Sequence, residues 1–517
     1  MNPLVRALLD PAAYDHPVAA VELIETHISW IFLTGHFAYK LKKPVNLGFV
    51  DFSTPELRRR CCEEELRLNR RLAADLYLGL RDLHGPPERA HLGGEGPVIE
   101  ALVQMRQFQQ RDLLPEALSR GRVKPEQIDR LADDLAHFHA GAAQASPADP
   151  WGTPERVLEP ALANLETLAQ LGRFPPDGEA MTGWTRQELR RLQPLLEARR
   201  ERGRIRECHG DLHLGNMALQ EERIRVFDCL EFSPPLRWID PISDLAFLVM
   251  DLQQRCHGEL ALQLLNRWLE TGGDHGSLPL LPWYLAYRAL VRAKVTALRL
   301  QQPDLAPEAV EPLEAELGTY LNRARRAMAP ARCALVITHG ISGSGKSHTA
   351  RQLRSWGWIH LRSDIERLRL RGRWGCASGE APAPAEPGQD PNPYAATVTE
   401  HLYRKVLLEA AEAALAAGLS VVVDATFLRR DLRQAFIELA RRRRSGFGII
   451  ACSVPLDLAL VRLQQRRAVE EDPSEADAGV VMAQLDSLEP LDQGEKAWIV
   501  DGDDRRLRFD PGELPIP

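Results

Sequence analysis

Two short segments hold residues whose types and spacing suit the handling of phosphate. In His209-Gly210-Asp211-Leu212-His213-Leu214-Gly215-Asn216 a histidine, an aspartate and an asparagine follow the pattern H-x-D-x-x-x-x-N. Far downstream, Gly340-Ile341-Ser342-Gly343-Ser344-Gly345-Lys346-Ser347 fits G-x-x-x-x-G-K-[ST] at every position. Phosphoryl transfer asks for little covalent help; it needs a base near the acceptor hydroxyl, cations on the phosphates and rigid placement of both. Asp211 suits the base, Asn216 a magnesium ligand, and Asp228, at the end of the apolar run Ile224-Arg225-Val226-Phe227, a second metal ligand.

In the second segment, Gly340, Gly343 and Gly345 let the backbone turn its N–H groups around a phosphate. Lys346 then reaches the outer phosphate oxygens, and Ser344 and Ser347 offer hydroxyls, that of Ser347 to magnesium. Downstream, Asp364-Ile365-Glu366-Arg367 sets a carboxylate and a guanidinium on one strand-to-helix turn, for taking the acceptor proton and steadying the transferring charge. A strand Ser420–Val423 ends in Asp424-Ala425-Thr426, where Asp424 and Thr426 can hold acceptor or metal-bound water. Arg462, Arg466 and Arg467 precede an acidic segment, which suits a lid over about residues 462–485.

These segments need elements to position them. Alternating strands over 27–50 joined at Gly35, a helix over 55–76 phased on Leu57, Leu66, Leu68 and Leu72, and a strand over 98–103 make a small lobe of about residues 1–107. Residues of about 108–325 read as a helical lobe, with a brief strand pair, 206–209 and 224–228, flanking the first motif. Ala329-Pro330-Ala331 ends a charged helix, and the pattern beyond alternates: strand 334–339, helix from 346, strand 357–361, helix 398–416, strand 419–423, helix 431–443, strand 447–452 and helix 456–467. Such alternation predicts a parallel sheet covered on both faces. The expected division is residues 1–325 and 333–517, and residues 377–393, rich in Pro, Gly, Ala and Glu, read as a loop.

Bulk composition sets limits. With 517 residues, 44% hydrophobic and 26% charged, the chain has the make-up of a globular protein with more than one core. No apolar run nears the roughly 18 residues of a membrane span, so a cytoplasmic protein without a membrane partner is expected. The eight cysteines form no C-x-x-C pair, which argues against zinc and disulfide frameworks. A formal charge of -7 argues against a surface built wholly for nucleic acid.

On the motif His209–Asn216 with Asp228, the first part resembles the aminoglycoside phosphotransferase and choline kinase group of protein-kinase-like enzymes. The resemblance implies Asp240 and Asp244 as supports of the motif loop, and a strand lysine that holds ATP phosphates and pairs with a helix glutamate. Lys40 or Lys42 is the candidate lysine, with Glu64 or Glu65 as partner. It also implies that adenine docks on backbone near Gln104 and Met105. Asp228-Cys229-Leu230 stands where protein kinases carry D-F-G, and no A-P-E segment follows, so a protein kinase is disfavoured. Glu231 and Asp251 are candidates for an acceptor site or for helix caps.

On Gly340–Ser347, Asp364-x-x-Arg367 and Asp424-Ala425-Thr426, the second part resembles the polynucleotide-kinase and zeta-toxin-like P-loop kinases. The expected fold class is therefore α/β and α+β, a protein-kinase-like two-lobed domain followed by a P-loop NTPase parallel-sheet domain. The function implied is an ATP- and magnesium-dependent phosphotransferase with two separate sites, acting on hydroxyls of small-molecule acceptors. Alternatives are a 5′-hydroxyl polynucleotide kinase in the C-terminal half, with nucleic acid as its partner, or one half acting as a nucleotide-binding regulator. The sequence leaves the acceptors and the oligomeric state open.

Overall fold

A computed structural model of the chain describes residues 2–46, 48, 50–303, 305–376, 394–467, 474–495 and 514–517, the side chains of residues 466 and 467 excepted. By packing, the chain falls into two compact units: residues 1–134, 141–156 and 196–248, and residues 135–140, 157–195 and 249–517. This division differs from the one expected along the sequence, because helices of the helical region pack with the C-terminal sheet.

In the first unit, six strands form an antiparallel sheet: β1 (Glu22–Glu25), β2 (Ser29–Leu33), β3 (Phe37–Lys42), β4 (Tyr77–His84), β5 (His91–Leu92) and β6 (Val98–Arg106), ordered β1-β2-β3-β6-β4-β5. Alternation along β3 decides what each face does. Tyr39 and Leu41 enter an apolar cluster with Val5, Leu8, Phe32 and Leu83, whereas Lys40 and Lys42 turn toward the helix Pro55–Ala73.

That helix begins cleanly. Thr54 Oγ1 accepts from Leu57 N, Pro55 fills the first turn, and Arg70 and Arg71 lie in the last turn where positive charge suits the carbonyl end. Its buried residues are Arg58, Cys62, Glu65, Leu68, Asn69 and Ala73, so the phase differs from that expected on Leu57, Leu66 and Leu72, which are only half-buried. Three of those six carry polar side chains, and each has a partner. Arg58 Nε donates to Glu100 at 3.1 Å, Glu65 meets both lysines, and Asn69 Oδ1 accepts from Cys229 N at 2.9 Å. Ion pairs and hydrogen bonds therefore join apolar burial in setting which face of this helix turns inward.

Four short strands surround the first motif: β7 (Arg206–Glu207), β8 (Met217–Gln220), β9 (Arg223–Val226) and β10 (Trp238–Ile239). The two strands expected to flank the motif belong to different ribbons: β7 pairs with β10, and β9 with β8. The reason is the close return at Glu221 and Glu222, both with positive φ, which folds β9 back on the segment leaving Asn216.

In the second unit, β11 (Ala334–His339), β12 (Ile359–Arg362), β13 (Val421–Asp424) and β14 (Gly446–Ala451) form a parallel sheet ordered β12-β13-β11-β14. Every residue of β11 is buried, as expected of a central parallel strand covered on both faces. The expected C-terminal elements occur within about two residues, and the fold class is the expected one. One local feature was not foreseen: the helical run 396–416 widens to a π-helix over Leu402–Leu407, a distortion frequent at functional sites. No helix among the described residues is long and apolar enough to cross a membrane.

Candidate functional sites

The first site gathers around β3, the Pro55–Ala73 helix and the β8–β9 ribbon. Lys40 Nζ lies 2.8 Å from Glu65 Oε1 and 2.6 Å from Asp228 Oδ1. Lys42 pairs with Glu65 Oε2 at 2.6 Å and also with Glu231, and its side chain has no exposure. The structure thus separates the alternatives left by the sequence. Glu65 sits between the two lysines, whereas Glu64 turns outward to Arg67 and Arg237 and reaches neither lysine. Of the lysines, only Lys40 also meets Asp228. Glu231 is the buried counter-ion of Lys42.

Burial alone would lower the pKa of Lys40, but Asp228 and then Glu65 overcome it and hold the ammonium firmly charged. Burial likewise opposes ionisation of Glu65, yet Lys40 and Lys42 together keep its carboxyl below the ordinary range.

Asp211 and Asn216 lie in contact: Asn216 Nδ2 donates to both the main-chain O and the Oδ2 of Asp211, each at 3.0 Å. Phe227 N donates to Asn216 O at 2.9 Å, so the ribbon brings Asp228 in directly beyond Asn216. Asp228 adopts φ 62°, a conformation that costs a non-glycine residue energy and recurs where a side chain must be aimed. Its N–H is held by Tyr77 Oη at 3.2 Å.

Behind the loop, Asp244 accepts from His209 N and Gly210 N, both at 2.9 Å. Asp240 binds Arg199 through both carboxylate oxygens at 2.6 and 2.9 Å. Burial pushes the His209 pKa down, and the neutral ring bridges Phe227 O at 3.0 Å and Asp211 N at 3.3 Å. Asn69, missed by sequence reading, ties the same helix to the Asp228 segment. Gln104 and Met105 lie inside β6, flanked by β3 and β4.

The second site is a pocket lined by Ser342, Gly343, Gly345, Lys346, Ser347, Ser363, Asp364, Asp424, Ala425, Thr426 and Ser474. Three separated sequence motifs therefore meet. The loop is shaped by glycines no other residue could replace: Gly340 has φ 137° and a Cβ there would stand 2.1 Å from Cys452 O, while Gly343 has φ 83° and a Cβ 2.7 Å from Ala459 O. Lys346 Nζ donates to Ile341 O at 2.6 Å, folded over its own loop. Ser342 exchanges hydrogen bonds with Gln484 at 2.7 and 3.1 Å, and Arg462 reaches Gly343 O at 3.2 Å. Gln484 was not singled out in the sequence. Arg466 has its side chain outside the described residues.

Asp424 is buried and Asp364 half-buried, and the two carboxylates repel each other. Burial and then Asp424 raise the pKa of Asp364. For Asp424 burial pushes the same way, but a hydrogen bond and charge from His360, with Lys346 and the Ser347 hydroxyl, bring it down to about 2. His360 Nε2 lies 3.2 Å from Asp424 Oδ2. Thr426 is held at both its N–H and its hydroxyl by Tyr403 Oη, each at 3.0 Å, and Tyr403 sits in the π-turn. Arg367 is buried with its guanidinium 4.7 Å from the ring centre of Tyr394.

Both donor sets fit a hard divalent cation, which takes oxygen ligands: the Asn216 amide oxygen with Asp228, and the Ser347 hydroxyl with Asp424. Ser344 Oγ is buried with no hydrogen-bond partner among the described residues.

Several arginines of the C-terminal part have acidic partners. Arg371 and Arg373 pair with Glu475, Arg369 with Glu366, Arg441 with Glu438, and Arg442 and Arg443 with Glu412.

Two family models match separate segments of the chain. The Phosphotransferase enzyme family matches residues 62–281, and an AAA domain matches residues 335–491. Uncharacterised proteins of Mycobacterium tuberculosis (strain H37Rv) and Mycobacterium bovis are each 31% identical over 485 residues, covering 90% of this chain and 91% of theirs. Among solved structures, a choline/ethanolamine kinase family protein from Mesorhizobium loti is similar at 12% identity, covering 63% of this chain and 97% of that one with a TM-score of 0.37. The amicoumacin kinase hAmiN is similar at 14% identity, covering 61% and 91% with a TM-score of 0.36. The chain belongs to the same family as the mycobacterial proteins, and in it a phosphotransferase-enzyme-family segment is followed by an AAA-domain P-loop segment.

Proposed function

We propose that the protein is an ATP-dependent phosphotransferase with two separate sites, each passing the γ-phosphate to a hydroxyl of a small-molecule acceptor. The observation that carries this reading is that each candidate site gathers a lysine and carboxylates: Lys40 against Asp228, with Asp211 held by Asn216, and Lys346 in one pocket with Asp364 and Asp424.

At the first site Lys40, charged and anchored by Glu65, holds phosphate oxygens. Asp211, a third exposed and steered by the Asn216 amide, orients the acceptor hydroxyl and takes its proton. Asn216 and Asp228 hold the magnesium ion. At the second site the loop amides and Lys346 hold the phosphates, and Ser347 and Asp424 hold magnesium. Asp364, whose raised pKa brings its basicity toward neutrality, takes the acceptor proton, and Arg367 steadies the departing charge. Bound magnesium supplies neutralisation of phosphate charge at both places.

Small acceptors are favoured over nucleic acid because the arginines near the second site are already paired. The test is a screen of the full-length chain for ATP-dependent phosphorylation of alcohols, antibiotics and oligonucleotides, repeated with Asp211→Asn and with Asp364→Asn. Two product classes, each lost with one variant, support two active sites. ATP turnover untouched by either variant would refute the reading, and end-labelled oligonucleotides would redirect the second site to nucleic acid.

A further inference from the structure

β12 is an edge strand, and an open edge must be covered. What covers it is a helix from the phosphotransferase-family segment, Gly258–Gly272. Its Asn266 is buried and acts as a substitute peptide group: Nδ2 donates to Trp358 O at 3.0 Å, and Oδ1 accepts from His360 N at 2.9 Å. The side chain of His360, on the same strand, then reaches Asp424 in the P-loop pocket. Its other ring nitrogen, Nδ1, is buried with no hydrogen-bond partner among the described residues, so the ring is committed to Asp424 alone.

The end of the same helix grips the next element. Arg369, on the helix Ser363–Leu370 that carries Asp364 and Arg367, donates to Glu270 O at 2.5 Å and Thr271 O at 3.2 Å, filling the carbonyls a helix end leaves open. Trp374 Nε1 adds a bond to Glu270 O at 3.0 Å. Close approach is built in on both sides: a Cβ at Gly273 or Gly375 would strike the Arg369 guanidinium at 2.7 or 2.4 Å, and one at Gly357 would stand 2.6 Å from Leu262. At Gly375 this seat is tight, because the Cβ would also stand 2.4 Å from the Thr271 main-chain oxygen.

We propose that the Gly258–Gly272 helix is a working part of the P-loop site, with Asn266 and His360 as positioning residues that fix Asp424 for binding magnesium-nucleotide. Arg369 fixes Asp364 and Arg367 from the same seat. The proposal rests on reading the P-loop pocket as a magnesium-nucleotide site. It means that this site is completed by a helix lying outside the AAA-domain match, in the segment that matches a different family.

The test uses the full-length chain with Lys40→Met, so that the second site dominates nucleotide binding. A fluorescent ATP analogue is titrated with magnesium and with EDTA, at temperatures where circular dichroism shows each variant folded. Loss of an outer partner of a metal ligand weakens metal affinity about 10–100-fold. His360→Ala should therefore lose most of the tightening that magnesium gives, His360→Gln should restore it by keeping a donor to Asp424, and Asn266→Ala should show a smaller loss in the same direction. Should His360→Ala fail to fold, Asn266→Ala and Arg369→Ala decide. Magnesium tightening at the wild-type level in these variants, while Lys346→Ala abolishes binding, overturns the proposal and leaves the nucleotide site standing. Binding unaffected by Lys346→Ala removes the nucleotide site itself, and the proposal with it.

Discussion

Asn216 holds Asp211 twice, through the main-chain oxygen and through Oδ2, both at 3.0 Å. The amide thus helps set the direction of the carboxylate proposed as the base, beside His213 Nε2 at 3.4 Å from the same Oδ2. Asp211→Asn should lower transfer at the first site by about 10²–10⁴ while nucleotide affinity stays within about twofold. Steady-state kinetics beside calorimetric titration checks both numbers, and unchanged turnover would take Asp211 out of the mechanism.

The two lysines of β3 should fail in different ways. Lys40 pairs with half-exposed Asp228 and with Glu65, which Lys42 also holds, so Lys40→Met should weaken nucleotide binding and cost less stability than loss of Lys42. Lys42 is sealed with Glu65 and Glu231; Lys42→Met strands buried carboxylate and should cost about 3–5 kcal/mol of folding free energy. Urea unfolding and nucleotide titration of both variants separate the roles. Equal losses of stability would show that Lys40 too is a structural cation.

Nucleotide stoichiometry should count the sites. Full-length protein is expected to bind two nucleotides, and Lys346→Ala and Lys40→Met one each. Lys346 donates to Ile341 O, a bond it must leave to reach a phosphate. Calorimetry showing a single nucleotide per wild-type chain would dismiss the two-site reading.

The paired carboxylates of the second site should have opposite effects on stability. Asp424, held down to about 2 from its ordinary 3.8, adds stability above its unfolded pKa that is lost as pH falls through that window. Asp364 has a raised pKa, so its favourable contribution exists at low pH and fades as pH rises through the folded value. Ligand-free Asp364→Asn should therefore gain melting temperature relative to wild type as pH rises, and Asp424→Asn should lose it. Thermal melts across a pH series measure both trends, and parallel trends would contradict the assigned directions.

Much of both sites was legible because each motif is local: the residues of a loop that wraps phosphate are neighbours in sequence. The apolar alternation around β11 to β14 was equally plain, since buried parallel strands are continuous apolar runs. Glu65 could not be told from Glu64 because the buried face of its helix is polar, and apolar periodicity then points to the wrong phase. The spacing Arg58, Cys62, Glu65, Asn69 carries the right one. β1 and β4 escaped because half-exposed strands with mixed residues carry little signal. His360, Tyr403 and Gln484 act across the fold, from strands and helices whose pairing no single sequence reveals.

The amide of Asn266 completes the outermost rung of the parallel sheet. A recombinant fragment beginning near residue 333 would lose that rung and carry a bare ribbon ready to add strands from its neighbours. Such a fragment is expected to aggregate or dimerise through β12, so its behaviour in the test tube would misrepresent the intact molecule.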